Sequence, residues 1–198
     1  MRRSGIFVSA LAAALLLAGC GTSGPPTSQF EDESGGNGVL PAGAIPQTRY
    51  DLANGCYALK SVRTASHAAR SGGAYAATAP NVTDAEPFFM KPTALGKYLF
   101  YARDRSFLAV VGPAVGKASA PSDAADWTID TDAAGDYTVF SASAGKSLAV
   151  APGDGSLILV DRASAGDAAK FGFDAATGCA PIRKRASTPK GRYSRAGA

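Results

Sequence analysis

The sequence predicts an all-β domain made of three similar units of about 40 residues, and three observations lead there. Between Tyr50 and Ala180 the apolar residues come in short runs broken by Gly, Pro, Asp and Ser, and no window supports a long amphipathic helix. A Tyr-led alternating segment recurs as Tyr57-Ala-Leu59-Lys-Ser, Tyr98-Leu-Phe100-Tyr and Tyr137-Thr-Val139-Phe, with starts 41 and 39 residues apart. Out of phase with it, two large apolar residues at i and i+2 recur in Phe88-Phe-Met90, Trp127-Thr-Ile129 and Phe171-Gly-Phe173, 39 and 44 residues apart.

Each element has a local reason. The Tyr-led segments follow Asn54-Gly55, Gly96-Lys97 and Gly135-Asp136, all turn signals, and their alternation suits a strand with one buried face. Between the two recurring elements lie Phe107-Leu-Ala-Val110 and Ser147-Leu-Ala-Val150, with Tyr75-Ala-Ala as their shorter counterpart in the first unit. Each unit therefore reads as a Tyr-led strand, a turn, a Leu-Ala-Val strand, a loop, and an aromatic-x-apolar strand.

Over about residues 55–178 this pattern resembles a β-trefoil of the ricin or fascin type. The Gln-x-Trp signature of ricin-type lectins is absent, and only Trp127, preceded by Asp126, occupies the corresponding aromatic slot. The resemblance implies that the first and last strands are neighbours, which brings Cys56 and Cys179 together. An irregular β-sandwich or open barrel with accidental periodicity is the competing architecture. By analogy of fold the resemblance also points to Tyr101, Asp104, Asp126 and Trp127 as ligand-binding residues. Among the aromatics, Tyr101 and Tyr75 are the better surface candidates, and Asp123 shares the loop setting of the other acids.

The N-terminus has a different character. Arg2 and Arg3 precede an uncharged apolar stretch from Ile6 to Leu17, too short to span a bilayer and suited to the core of a signal peptide. It ends in Leu17-Ala18-Gly19-Cys20, which looks like a bacterial lipobox, with Cys20 as the lipidated residue. The chain is accordingly expected to be a lipoprotein held at the cell membrane on the extracytoplasmic side. The expected divisions are a signal peptide over 1–19, a lipidated flexible linker over 20–49, the β domain over 50–180 and a disordered basic tail over 181–198. Such a linker would hold the domain roughly 30 Å from the lipid. With Cys20 lipidated, Cys56 and Cys179 remain as an even pair in an oxidising compartment and are expected to form a disulfide.

Charge narrows the partners. The formal net charge is +4, but Arg2 and Arg3 belong to the signal segment and six basic residues lie beyond Ala180. From Asp51 to Cys179 there are 11 Lys/Arg against 13 Asp/Glu, so the body carries about −2. A nucleic-acid partner needs a basic face on the folded part, and none is visible. With a single histidine, His67, and no C-x-x-C, the chain lacks the ligands of a zinc or haem site, and no cofactor is expected.

Other motifs dissolve on inspection. Ala144-Gly145-Lys146-Ser147 lacks the earlier glycine of a phosphate-binding loop, that position being Phe140, and reads as a hairpin turn. Asp130-Thr-Asp132-Ala-Ala-Gly135-Asp136 opens like a calcium loop, but Ala134 and Ser141 stand where ligands are needed. His67, in an Ala/Ser-rich setting, is expected in an exposed loop. Asn81-Val82-Thr83 fits a glycosylation sequon that carries no meaning in a bacterial cell. No nucleophile, base or metal set is recognisable, so no enzyme is expected.

The stretches Ala85-Glu-Pro-Phe-Phe-Met-Lys-Pro-Thr-Ala-Leu-Gly-Lys-Tyr-Leu99, Pro121-Ser-Asp-Ala-Ala-Asp-Trp127 and Ala176-Thr-Gly-Cys179-Ala resemble the N-terminal region of large exported bacterial hydrolases similar to metal-dependent amidohydrolases. That resemblance implies an accessory domain whose catalytic barrel would follow Cys179. Here 19 residues without histidine follow, as a truncated or frame-shifted gene would give. The sequence thus yields two expectations. One is a lipid-anchored module binding glycans or a protein partner; the other is an accessory domain left from a hydrolase.

Overall fold

A computed structural model describes residues 44–180 and residue 182. The expected signal peptide, Cys20, most of the expected linker and, apart from Ile182, the expected basic tail lie outside the described residues. The elements are β1 (Cys56–Ser61), β2 (His67–Ser71), β3 (Ala74–Ala79), β4 (Pro87–Ala94), β5 (Lys97–Tyr101), β6 (Phe107–Val111), β7 (Ala114–Ala118), β8 (Asp126–Thr131), β9 (Tyr137–Ser141), β10 (Lys146–Val150), β11 (Leu157–Val160) and β12 (Phe171–Ala175), with short 3-10 turns before β8 and β12.

Six of these strands close on themselves. β1 pairs with β4, β4 with β5, β5 with β8, β8 with β9, β9 with β12 and β12 with β1, every pair antiparallel. Closure removes the free sheet edges that invite pairing with other chains. The remaining strands form three hairpins, β2–β3, β6–β7 and β10–β11, continuing from β1, β5 and β9. A barrel of six strands under three hairpins is a β-trefoil, as the threefold repeat predicts.

Alternation explains the closure. The inward positions form rings of three, one residue from each unit: Tyr57, Tyr98 and Tyr137; Leu59, Phe100 and Val139; Phe88, Trp127 and Phe171; Met90, Ile129 and Phe173. All are essentially buried, and each contributes on the order of 1.5–3 kcal/mol by leaving water. The rings interlock edge-to-face, as between Tyr137 and Phe173 at 5.1 Å and Phe88 and Phe100 at 5.7 Å. The tight turns repeat too: Ala65, Arg105 and Gly145 precede the second strand of each unit with φ of 56°, 69° and 65°.

Two details depart from the sequence reading. Each unit has four strands rather than three. The partner of the Leu-Ala-Val strands in the first unit is β2, opening at His67, while Tyr75 lies in β3. His67 is therefore not in an exposed loop but buried in a strand, with Nε2 2.8 Å from the Asp174 carboxylate, which also takes Lys60 at 3.4 Å.

The segment before β1 also belongs to the fold. It crosses one end of the barrel, where the three ring tyrosines hold it. Tyr137, Tyr98 and Tyr57 donate their hydroxyls to the carbonyls of Pro46 (2.9 Å), Arg49 (2.6 Å) and Asp51 (3.1 Å). Leu52 is fully buried beneath it. Among the described residues, hydrogen bonds to the barrel's tyrosines start at Pro46, before the expected domain start at residue 50. Cys56 and Cys179 are bonded across the β1–β12 closure with Cα atoms 5.9 Å apart, as expected. Closing a loop of 123 residues contributes about 5 kcal/mol in the chain-entropy picture.

Candidate functional site

The register of the three units places Arg70, Val110 and Val150 at one equivalent position and Tyr75, Val115 and Leu157, their hairpin partners, at another. Counting back from the Phe88, Trp127 and Phe171 ring, Glu86 is equivalent to Ala125 and Ala169. The second and third units are apolar at all three positions. In the first unit a guanidinium, a phenol and a carboxylate stand there instead, and the guanidinium is forked onto the carboxylate.

Glu86 is 5% exposed. It accepts Arg70 Nε at 2.6 Å and Nη2 at 2.9 Å, a bidentate fork, together with the backbone N–H of Arg103 at 2.7 Å. Arg70 reaches further to Asp104 at 3.0 Å, and Lys117 approaches the same carboxylate at 3.4 Å. The Glu86 hydrogen bonds raise the Arg70 pKa still further against the opposing effect of burial. Burial tends to raise the Asp104 pKa, but the Ser106 hydroxyl and N–H, Arg70 and Lys117 outweigh it and hold the carboxyl below its ordinary range. Burial pushes the Tyr75 pKa up to about 12, against the smaller lowering effect of the Ser106 side chain. The first-unit hairpin, the loop before β4 and the β5–β6 turn are thus locked together by charge.

Beside this lock lies a cleft of about 290 Å³ lined by Val82, Thr83, Arg103, Ala175, Ala176 and Thr177. Its floor is methyl groups, and its polar groups are two threonines and an exposed guanidinium. Glu86 fixes the Arg103 backbone, and the chain at Gly178 passes beside its guanidinium. The Asn81 side chain shapes the opposite wall by accepting Thr83 Oγ1 at 2.6 Å and the Asp84 N–H at 3.1 Å. Such an arrangement suits a polar ligand with an anionic or hydroxyl-rich edge.

The residues singled out from sequence do not converge. Trp127 is fully buried with its indole N–H on the Leu108 carbonyl at 2.8 Å, so its faces belong to the core and no ligand can stack on them. Tyr75, expected at the surface, is 1% exposed and packs on Phe88 at 5.4 Å, because its side of the hairpin faces inward. Tyr101 is half-buried against Phe107 at 5.0 Å, in an outer cluster with Leu99. Asp126 binds Thr93 Oγ1 at 2.6 Å and lies opposite Leu99, apart from the polar lock. Asp104 alone of the four belongs to that lock. Asp123 sits in a 3-10 turn without capping its own helix end. Arg70, Glu86 and Arg103 escaped the sequence reading, although aligning the three units on their aromatic pairs exposes Glu86 against two alanines.

The Asp130–Asp136 loop already holds a cation of the protein's own. Lys170 Nζ lies 3.0 Å from Asp132 and 3.4 Å from Asp136, which lowers the Asp132 pKa and raises that of Lys170. Among the described residues no group of three or more His, Cys, Asp or Glu side chains is placed to hold a metal, and no helix is long and apolar enough to cross a membrane.

No family model matches this chain, and no curated protein matches it. Solved structures do. The designed three-fold symmetric protein ThreeFoil aligns at 18% identity and a TM-score of 0.51, over 61% of this chain and 98% of its own. SeviL, solved bound to the asialo-GM1 saccharide, aligns at 17% identity and 0.52, over 62% and 98%. A family GH43 β-1,3-galactosidase aligns at 15% identity and 0.56, over 67% of this chain but 28% of its own. The chain therefore spans nearly all of two small proteins and under a third of a larger enzyme. At these identities the likeness establishes the fold alone: residues 44–180 form a β-trefoil-like domain whose first unit departs from the other two.

Proposed function

We propose that this protein is a non-catalytic binding module, displayed on the extracytoplasmic side of the cell membrane by lipid on Cys20, and that its ligands are glycans. The supporting observation is the fold match over nearly the whole length of SeviL, a protein solved with a saccharide bound. The cleft between Thr83, Arg103 and Thr177 adds a compact polar edge over an apolar floor, the combination that sugar rings require. Asp104 follows Arg103 in the β5–β6 turn and adds a carboxylate, paired with Arg70, next to that edge.

The test is a glycan array, including cell-wall fragments, probed with the labelled protein. Binding to a defined glycan class that falls at least tenfold in Arg103→Ala supports the reading; silence across the array overturns it. Anchoring is tested separately by labelling cells with an alkyne fatty acid. Label on the wild type that is absent from Cys20→Ala is the expected result.

A second reading has its own support. In the galactosidase the matching region is 28% of the chain, so a domain of this shape there accompanies a larger enzyme. An accessory domain left from a truncated metal-dependent hydrolase would have that relation to its parent. Sequencing the DNA downstream distinguishes the two: a barrel-encoding frame nearby favours this reading, and its absence removes it.

A further inference from the structure

The cleft beside Arg103 is assembled from three separate parts of the chain. The loop before β4 gives Val82 and Thr83, the β5–β6 turn gives Arg103, and the end of β12 with the residues after it gives Ala175, Ala176 and Thr177. Its apolar floor is firmly held. Val82 and Ala176 pack on a buried cluster of Ala58, Ala79 and Ala85, and the Ala176 N–H donates to the Cys56 carbonyl at 2.9 Å. Three residues on, Cys179 is bonded to Cys56, so the disulfide pins the same wall. At about 290 Å³ the cleft is small for a ligand site and suits one sugar residue rather than a chain.

Arg103 is the only charged residue among those lining the cleft, and the carboxylates around it are already engaged. Glu86 holds the Arg70 fork and takes from Arg103 only the backbone N–H. Asp104 holds Arg70, Lys117 and the Ser106 hydroxyl. Asp174, next to Ala175, holds His67 and Lys60, and Asp84, next to Thr83, accepts the Asn81 amide at 2.8 Å. The exposed Arg103 guanidinium is in no ion pair among the described residues. Acceptors for the hydroxyls of a neutral sugar are scarce, because Asn81 Oδ1 already takes Thr83 and Asp84. A hydroxyl both donates and accepts, whereas a carboxylate only accepts, and a guanidinium forks onto it with two parallel hydrogen bonds. What the cleft leaves unmet is a need for a negatively charged acceptor.

We infer that this cleft selects a sugar residue that carries a carboxylate, of the hexuronic acid kind. Arg103 forks onto the carboxylate, the Thr177 hydroxyl supplies a further donor, and the apolar face of the ring lies on Val82, Ala175 and Ala176. The inference rests on the glycan-binding reading and deepens it. Arg70 has a part in it: its fork satisfies Glu86, so that the buried carboxylate does not compete for the Arg103 guanidinium.

The test is an array of hexuronic acid oligosaccharides, printed beside the same oligosaccharides with each carboxyl reduced to a hydroxymethyl group. Sulfated, phosphorylated and neutral glycans complete it. Binding of the labelled protein to the hexuronic acid forms is expected to fall about tenfold on reduction, and by the same factor in Arg103→Gln. Arg103→Lys keeps the charge without the fork and is expected to fall in between. Arg105→Gln removes an exposed charge from the same turn but not from the cleft, and leaves binding unchanged. Because Glu86 bonds the Arg103 backbone and not its side chain, these variants keep the polar lock, and thermal melting checks that they stay folded.

Equal binding to the reduced and unreduced forms, a preference for sulfated or phosphorylated glycans, or equal losses from Arg103→Gln and Arg105→Gln would overturn the inference. Neutral glycans that bind and are lost in Arg103→Gln overturn the carboxylate assignment alone and leave the glycan reading standing. Silence across the whole array overturns both.

Discussion

The first unit and its two sisters share an interior but not a rim. Inside the barrel, tyrosine stands at all three positions of one ring, and the other rings exchange one large apolar side chain for another. Above it, Arg70, Tyr75 and Glu86 replace Val110, Val115 and Ala125 in the second unit and Val150, Leu157 and Ala169 in the third. The barrel constrains volume on every strand at once, so its rings stay similar. A hairpin touches fewer neighbours, so one unit can exchange apolar packing for an ion pair between a buried carboxylate and a more exposed guanidinium without disturbing the others. Such a pair adds little net stability, because desolvation of the charges offsets their attraction, but it penalises any arrangement that leaves a charge unmatched.

The comparison can be broken by moving the carboxylate. Ala125→Glu would bury a charge in the second unit, where Val110 offers no partner, and is expected to cost about 3–5 kcal/mol in urea unfolding. Adding Val110→Arg should recover part of that loss; no recovery would mean that the units are not equivalent at this position. A smaller effect comes from removing the first unit's own partner. Arg70→Met leaves Glu86 with only the Arg103 N–H and is expected to cost about 2–3 kcal/mol. The pair Arg70→Val with Glu86→Ala, which copies the third unit, should return to within about 1 kcal/mol of wild type, and a larger deficit would assign the lock a stability role of its own.

The smallest effect is acid-dependent. The folded state depresses the carboxyls of Asp104 and Asp132 from a reference of 3.8, so their stabilisation is present above that value and lost as pH falls through the lowered folded pKa. Asp104→Asn should therefore cost less than about 1 kcal/mol at neutral pH and flatten the acid limb of a stability–pH curve. An unchanged acid limb would show that Asp104 is not held as the hydrogen bonds imply.

Much of this fold was legible because threefold repetition states each constraint three times. The Tyr57, Tyr98 and Tyr137 strands and the Phe88, Trp127 and Phe171 strands stand out because large inward side chains alternate with polar ones. The third strand of each unit did not. Ala74–Ala79 and Ala114–Ala118 consist mostly of small residues, whose alternation carries little contrast. His67 misled for a similar reason: in His67-Ala-Ala-Arg-Ser nothing local favours a strand, and its burial depends on Asp174, 107 positions away. The candidate ligand residues fared worst because analogy of fold fixes a region and not a side chain. Trp127 filled the expected slot, and the slot belongs to the core.

The segment from Pro46 to Asn54 has a mechanical consequence. A pull on the N-terminus meets the Tyr137, Tyr98 and Tyr57 hydrogen bonds in sequence, so the plug peels away stepwise at low force. At Cys56 the load passes through sulfur to Cys179 rather than into the β1–β12 ladder. Tension applied through the N-terminal segment would therefore strip the plug and then stop. The disulfide is a strain relief for the barrel, and reducing it would turn a tether that holds into one that unravels.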